Sequence, residues 1–400
     1  MVLLVSCGIG HAAWVVEFPQ PAWTNTPDSV PVLLGIQVPP ALEAAIDSNH
    51  WQLVAEGAVP AALPLQYEPP TLGQNARLWA IAPGPPAAPA RFLLQSSPRP
   101  HEATVKLASD STRASYEIQD GGRPVLRYNH GTVPAPSGIP TQYVRGDYIM
   151  PLYGLDGEML ADDYPKDHPH HRGLSWSWPV TRWGREVRDI WAVSGVWARP
   201  AGVHRLQSGP VFALLEVENH WKWDDKTPIV RERVLIRAWR TQGNHRFLDI
   251  EIALTALVDD VAIGGRPHGG YGGFGLRAQP AEERVITRMV DPPQAPHRRS
   301  WLDYSGRFAG APTPSGVAIL EHPANPLSPN ALLEYPELNY VMPAFPGERE
   351  VPLSRQQPLT LRHRVWIHRG RASTAALDAV WHACHQPLTA TIRDTQHATH

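Results

Sequence analysis

RFLDIEIALTAL, residues 246–257, sets apolar and polar side chains in alternation, and that period decides the fold. Leu248, Ile250, Ile252 and Leu254 point one way while Asp249 and Glu251 point the other, as a strand with one buried and one wet face requires. The pattern recurs on either side. In IVRERVLIRAW (229–239), Val230, Val234 and Ile236 oppose Arg231, Arg233 and Arg237; in LTLRHRVWIHRG (359–370), Leu359, Leu361, Val365 and Ile367 oppose Arg362, Arg364 and His368. Long alternating strands joined by Gly/Pro loops predict a large antiparallel sandwich.

Two positions break the alternation. Glu232 and His363 fall on the apolar faces of their strands. A carboxylate is not buried alone without a partner or a large pKa rise, so Glu232 marks either a polar contact inside the sandwich or a strand that lines a wet cleft.

The rest of the chain agrees with a β fold. Its 400 residues suffice for two or three domains, and its 43 prolines are about twice the usual share of roughly 5%, which argues against long helices. Residues 14–125 hold short apolar runs such as VPVLLGIQV (30–38), ARLWAIA (76–82) and ARFLLQ (90–95), with Pro-rich breaks between them, and predict a smaller β-sandwich domain. The large sandwich is expected over 126–370. STAALDAVWHACHQP (373–387) reads as one C-terminal helix capped by Ser373 within 371–400, followed by a flexible tail.

Charge and composition exclude some functions. A net charge of -2, with only four lysines (Lys106, Lys166, Lys222 and Lys226), leaves no basic stripe for nucleic acid. No run of about 18 apolar residues predicts a membrane-spanning helix. Cys7 and Cys384 make no disulfide framework. The first 13 residues, MVLLVSCGIGHAA, read either as a remnant of a secretory or lipoprotein signal, with LVSC (4–7) as the cleavage box, or as an apolar first strand; the former leads us to expect a periplasmic or secreted protein.

Chemistry concentrates in DHPHHRG (167–173), inside PLYGLDGEMLADDYPKDHPHHRGLSWSW (151–178). No G-x-S-x-G, H-E-x-x-H, C-x-x-C or Walker A signature is present, and the Gly-dense GRPHGGYGGFGLR (265–277) lacks the Lys-Ser/Thr of a phosphate loop. If the backbone around Pro169 is extended, His168 and His170 share a face suited to a metal, and His171 takes the other with Arg172. Imidazole suits proton transfer near neutral pH, and the arginine fork suits oxyanions. Asp163 and Asp167 can fix a histidine tautomer. Trp176 and Trp178, two apart, are expected to form an indole wall for a sugar ring. His268 and Tyr271 in the Gly-dense loop, and His322 and Asn325 in ILEHPANP (319–326), are further candidates.

These residues resemble the PmoA-like family of bacterial proteins. The likeness rests on 151–178, FGLR (274–277), WLDYSG (301–306), GVAILEHPANP (316–326) and LRHRVWIHRG (361–370), and it covers about 141–370. It implies a galactose-mutarotase-like β supersandwich and an association with carbohydrate breakdown. The family takes its name from a subunit of a membrane copper enzyme, an activity that a chain without an apolar span does not carry over. Where family members have a Trp-His pair, this chain reads LLEYPEL (332–338), a departure at Glu334 and Tyr335.

The reading that joins these signals is a carbohydrate-active enzyme of lyase, hydrolase or epimerase type, which needs no cofactor. His170 or His171 would be the acid/base group, Arg172 would orient an oxygen, and Glu232, His268 or His322 would oppose them. The alternatives are a divalent metal on His168 and His170, for oxidoreductase or hydrolase chemistry, and a non-catalytic glycan-binding protein.

Overall fold

The structure, a computed structural model, describes residues 14–19, 30–38, 42, 46, 50–55, 62–70, 75–84, 90–385, 388 and 390–394. The expected signal remnant, residues 1–13 with Cys7, lies outside the described residues. The chain divides into two units, residues 1–102 with 386–400, and residues 103–385.

The larger unit is an antiparallel β-sandwich of two eight-stranded sheets. One sheet runs in the order Val196–Gln207, Phe212–Trp223, Thr227–Trp239, His245–Ala256, Leu359–Arg369, Ser315–Glu321, Ser300–Phe308, Ala281–Val290. The other runs Ala331–Tyr335, Tyr340–Ala344, Gly273–Arg277, Leu174–Ser177, Tyr148–Leu152, Arg123–Asn129, Ser115–Asp120, Val105–Asp110. The opening stretch behaves as its period demands, since Leu248, Ile250, Ile252 and Leu254 are buried and Asp249 and Glu251 are not. They meet Leu126, Ile149, Trp176, Phe274 and Leu276 of the facing sheet in one continuous core. A four-stranded sheet of Glu186–Arg188, Val180–Trp183, Val261–Gly264 and Glu350–Pro352 completes this unit's strands.

Three details differ from expectation. The boundary between the units falls at 102/103 rather than near 125, because Val105–Asp110 and Ser115–Asp120 hydrogen-bond onto Arg123–Asn129 at the edge of an eight-stranded sheet. His368, expected to face water, is buried because its Nε2 lies 3.0 Å from Asp303 Oδ1, and Ser305 bonds the same carboxylate. In the tail, Thr391–Asp394 pairs antiparallel with Trp14–Phe18; an unpaired sheet edge there takes up the strand, while 386–387, 389 and 395–400 lie outside the described residues.

The C-terminal helix is Thr374–His385, and the Ser373 hydroxyl accepts from the Ala376 N–H at 3.2 Å, as a cap should. Its Asp378 accepts from Trp301 Nε1 (2.9 Å) and Arg299 Nη1 (2.8 Å), which ties the helix to the edge of the sandwich. No helix among the described residues is long and apolar enough to cross a membrane. The smaller unit pairs a five-stranded sheet with a three-stranded one around Val16, Leu34, Leu53, Leu78 and Leu94.

Candidate functional site

DHPHHRG folds as a tight turn, not as the extended segment expected. The His171 N–H donates to the His168 carbonyl at 2.9 Å, with Pro169 second in the turn, where its fixed φ is favoured. A bridge between Asp163 and Arg172, and a bond from Gly173 N–H to the Asp162 carbonyl (2.8 Å), close the loop at its base. The turn therefore brings all three imidazoles together instead of splitting them between faces. The rings of His168 and His171 stack at 4.8 Å, and His170 stands edge-on to His171 at 4.6 Å and to His168 at 5.6 Å.

The loop docks on the end of Gly273–Arg277, and Arg277 organises its charges. Its Nη2 donates to both oxygens of Asp167 (2.9 and 3.1 Å), and its Nη1 lies 3.4 Å from His171 Nδ1. Because the guanidinium is always a donor, His171 Nδ1 is the acceptor and Nε2 carries the proton. Burial first, then His170, His168 and Arg277, push the His171 pKa down to about 2. Burial, His168 and Arg145 push His170 down to about 4. Both rings are neutral at pH 7. His170 makes no hydrogen bond with a described residue. Tyr143 lies 6.1 Å from it, and Trp191, Tyr271, Tyr335 and Tyr340 form one aromatic cluster that reaches His171 through Trp191 (5.7 Å) and Tyr340 (4.7 Å).

Several sequence candidates take structural places. Trp176 and Trp178 are 1% and 0% exposed, so they are core and not an open wall. The Trp176 indole N–H donates to Glu232 Oε1 at 2.9 Å. Glu232, also 0% exposed, lies in the sandwich interior, where Asn219 Nδ2 contacts both Glu232 and Asp147, and Tyr128 donates to Asp147. Burial, and next the Asp147 charge, raise Glu232 well above the usual carboxylate range, so it is held as the acid and shares its proton with Asp147. Of the two readings of a buried Glu232, the interior polar contact is the one realised.

Arg172 is also withdrawn. Its side chain is 0% exposed, paired with Asp163 at 2.9 Å, and its guanidinium lies over Tyr164 (3.1 Å) and Tyr148 (4.9 Å). It braces the loop. Asn325 is buried with its amide on the backbone of Arg362, and His322 stands edge-on to His385 with Nδ1 accepting from Ala324 N–H. His268 is exposed on its loop, and no interaction joins it or His322 to the trio among the described residues. His363 stacks on Phe274 at 4.3 Å inside the sandwich. Glu334 lies 3.7 Å from Arg288.

The metal alternative meets two obstacles. No three His, Cys, Asp or Glu side chains among the described residues converge as a ligand set. His168 Nδ1 already faces Asp167 at 3.2 Å, and two guanidiniums beside the trio repel a cation.

Sequence reasoning missed Arg145, Arg277, Trp191 and Tyr340. Only Arg277, closing FGLR, lay in a stretch already singled out; Tyr340 meets the trio through its pairing with Arg277, Arg145 lies just before a paired strand, and Trp191 sits in a turn. A cavity of about 220 Å³ in the smaller unit, lined by Phe18, Leu34, Leu63 and Phe92 among others, has no titratable group among the described residues that line it.

Residues 115–382, more than half of the chain, match the model of a family of unknown function (DUF6807), and the chain belongs to that family. No curated protein matches it.

Proposed function

We propose that this member of the DUF6807 family is a carbohydrate-active enzyme in which His170 is the acid/base group. The observation that carries the reading is the state of His170: a neutral, partly buried imidazole without a hydrogen-bond partner among the described residues, set against Tyr143 and against His171, which an aromatic cluster touches, in the field of two buried guanidiniums. Such a ring can take a proton from a bound substrate, and lyase, hydrolase and epimerase chemistry all need that step. His171 Nε2–H supplies a donor on the neighbouring ring, and Tyr143 and Tyr271, both partly exposed, supply apolar faces for the C–H side of a sugar. The resemblance to the PmoA-like family, with its carbohydrate-breakdown associations, points the same way.

The test is a screen of the full chain against neutral and acidic oligosaccharides, with products followed by mass spectrometry. His170→Ala and His170→Gln should lower turnover by about a hundredfold or more while binding persists. Turnover equal to wild type in both variants would remove His170 from the chemistry. Binding with no turnover by the wild type would turn the reading to a glycan-binding protein.

A further inference from the structure

Arg145 is the unexplained charge at this site. It lies just before the strand Tyr148–Leu152, is 5% exposed, and donates only through Nε to the Gly146 carbonyl at 3.3 Å. Among the described residues no carboxylate lies within ion-pair distance of it. The neighbouring buried arginines are matched, Arg172 by Asp163 and Arg277 by Asp167. Asp147 shares a proton with Glu232 in the core, and Asp189 is engaged by the Ala192 N–H at 2.8 Å. Asp147, bonded to Tyr128 and Asn219, is the countercharge that Arg145 feels, from beyond ion-pair distance. A buried guanidinium that meets no carboxylate directly is costly, and it marks a place where an anion can complete the arrangement.

Other donors point to the same ligand. Arg145 acts on His170 and Tyr340 alike. The Tyr340 hydroxyl, set against Gly275, has no hydrogen-bond partner among the described residues, and a Cβ on Gly275 would collide with it. His171 offers its Nε2–H. His171 and Tyr340, their rings 4.7 Å apart, bring donors together, and Arg145 follows two residues after Tyr143, whose ring lies 6.1 Å from that of His170, a pattern that can receive an oxyanion. A single guanidinium without a direct ion pair, planar and forked, fits one carboxylate better than a phosphate dianion, which calls for more positive charge.

We propose that the site takes a carboxylate-bearing sugar, a uronate, and that Arg145 seats its carboxylate. This rests on the reading of the site as a sugar site and adds the charge of the sugar. The bound anion offsets the positive field on His170 and so strengthens that ring as a base.

The experiment measures binding of glucuronate, galacturonate and their trimers, methyl glucoside and malonate to the full chain by calorimetry, for wild type, Arg145→Gln and Arg145→Lys. Uronates should bind wild type about tenfold more tightly than the neutral glycoside, and lose about tenfold in Arg145→Gln and less in Arg145→Lys. Without ligand, Arg145→Gln should melt within a few degrees of wild type, since it breaks no direct ion pair. Equal binding of the neutral glycoside, unchanged uronate binding in Arg145→Gln, or a ligand-free melting loss of many degrees would each overturn the assignment. Malonate bound through Arg145 with no uronate bound would leave the anion seat standing and overturn the sugar reading beneath it.

Discussion

Replacing Arg172 decides between a bracing and a substrate-binding role for a residue that the sequence pattern offers to a ligand. Arg172→Ala removes one partner of a pair whose arginine is wholly buried and whose Asp163 side chain is 21% exposed. Breaking a buried pair costs about 3–5 kcal/mol, and the partial exposure of Asp163 places this one near 3. The loss of the guanidinium from over Tyr164 and Tyr148 adds about 1 kcal/mol, not fully additive because the same group makes both contacts. The expected destabilisation is about 3–4 kcal/mol. At roughly 2–4 °C per kcal/mol for a unit of this size, Tm should fall by about 6–16 °C. Arg172→Lys keeps the charge but loses the fork and the stacking, for a cost of about 1–2 kcal/mol. Thermal and urea unfolding measure both, and the deficit should change little between low and high salt because the pair is sheltered. A Tm for Arg172→Ala within a degree of wild type, with loss of ligand binding, would refute the bracing role.

Other consequences are as direct. A methyl group on Gly316 would run into His368 and Ser305, and displacing His368 strips buried Asp303 of its partner; Gly316→Ala should cost about 3 kcal/mol in urea unfolding, while Gly202→Ala, with open space around it, should stay within about 0.5 kcal/mol. Glu232 keeps a proton when folded that the unfolded chain releases, so stability falls as pH rises from the usual carboxylate range through its raised pKa. Glu232→Gln should flatten that fall in urea titrations from pH 5 to 8, and an unchanged slope would show that the proton lies elsewhere. His170 and His171, lowered to about 4 and 2, charge on unfolding but not when folded, so stability is fully present above about pH 6.5 and is lost as pH drops toward 4. The double change His170→Gln/His171→Gln should reduce that acid loss, and in the wild type neither ring should titrate by NMR above pH 5.

The alternation in 246–257, 229–239 and 359–370 was enough to read the sandwich, because a strand between core and water repeats every two residues whatever lies across from it. The Ser373-capped helix was equally legible, since a cap is settled within one turn of chain. The same local view located DHPHHRG as a place where titratable groups gather, and it marked Glu232 and His363 as exceptions on buried faces. It misjudged the partners. Alternation says that Trp176 and Trp178 share a side but not what lies on that side, and the facing sheet turned both into core. Pro169 folded the histidines together where an extended backbone would have parted them. Arg277 and Tyr340 reach the trio through the pairing of Tyr148–Leu152, Leu174–Ser177, Gly273–Arg277 and Tyr340–Ala344 side by side, strands drawn from nearly two hundred residues of chain, while Arg145 precedes the first of them and Trp191 stands in the turn between the bridged Asp189 and Ser194. The period of side chains along one strand belongs to the sequence, whereas strand order and register, which decide which arginines form a direct ion pair and which one does not, arise only when distant segments exchange hydrogen bonds with each other instead of with water.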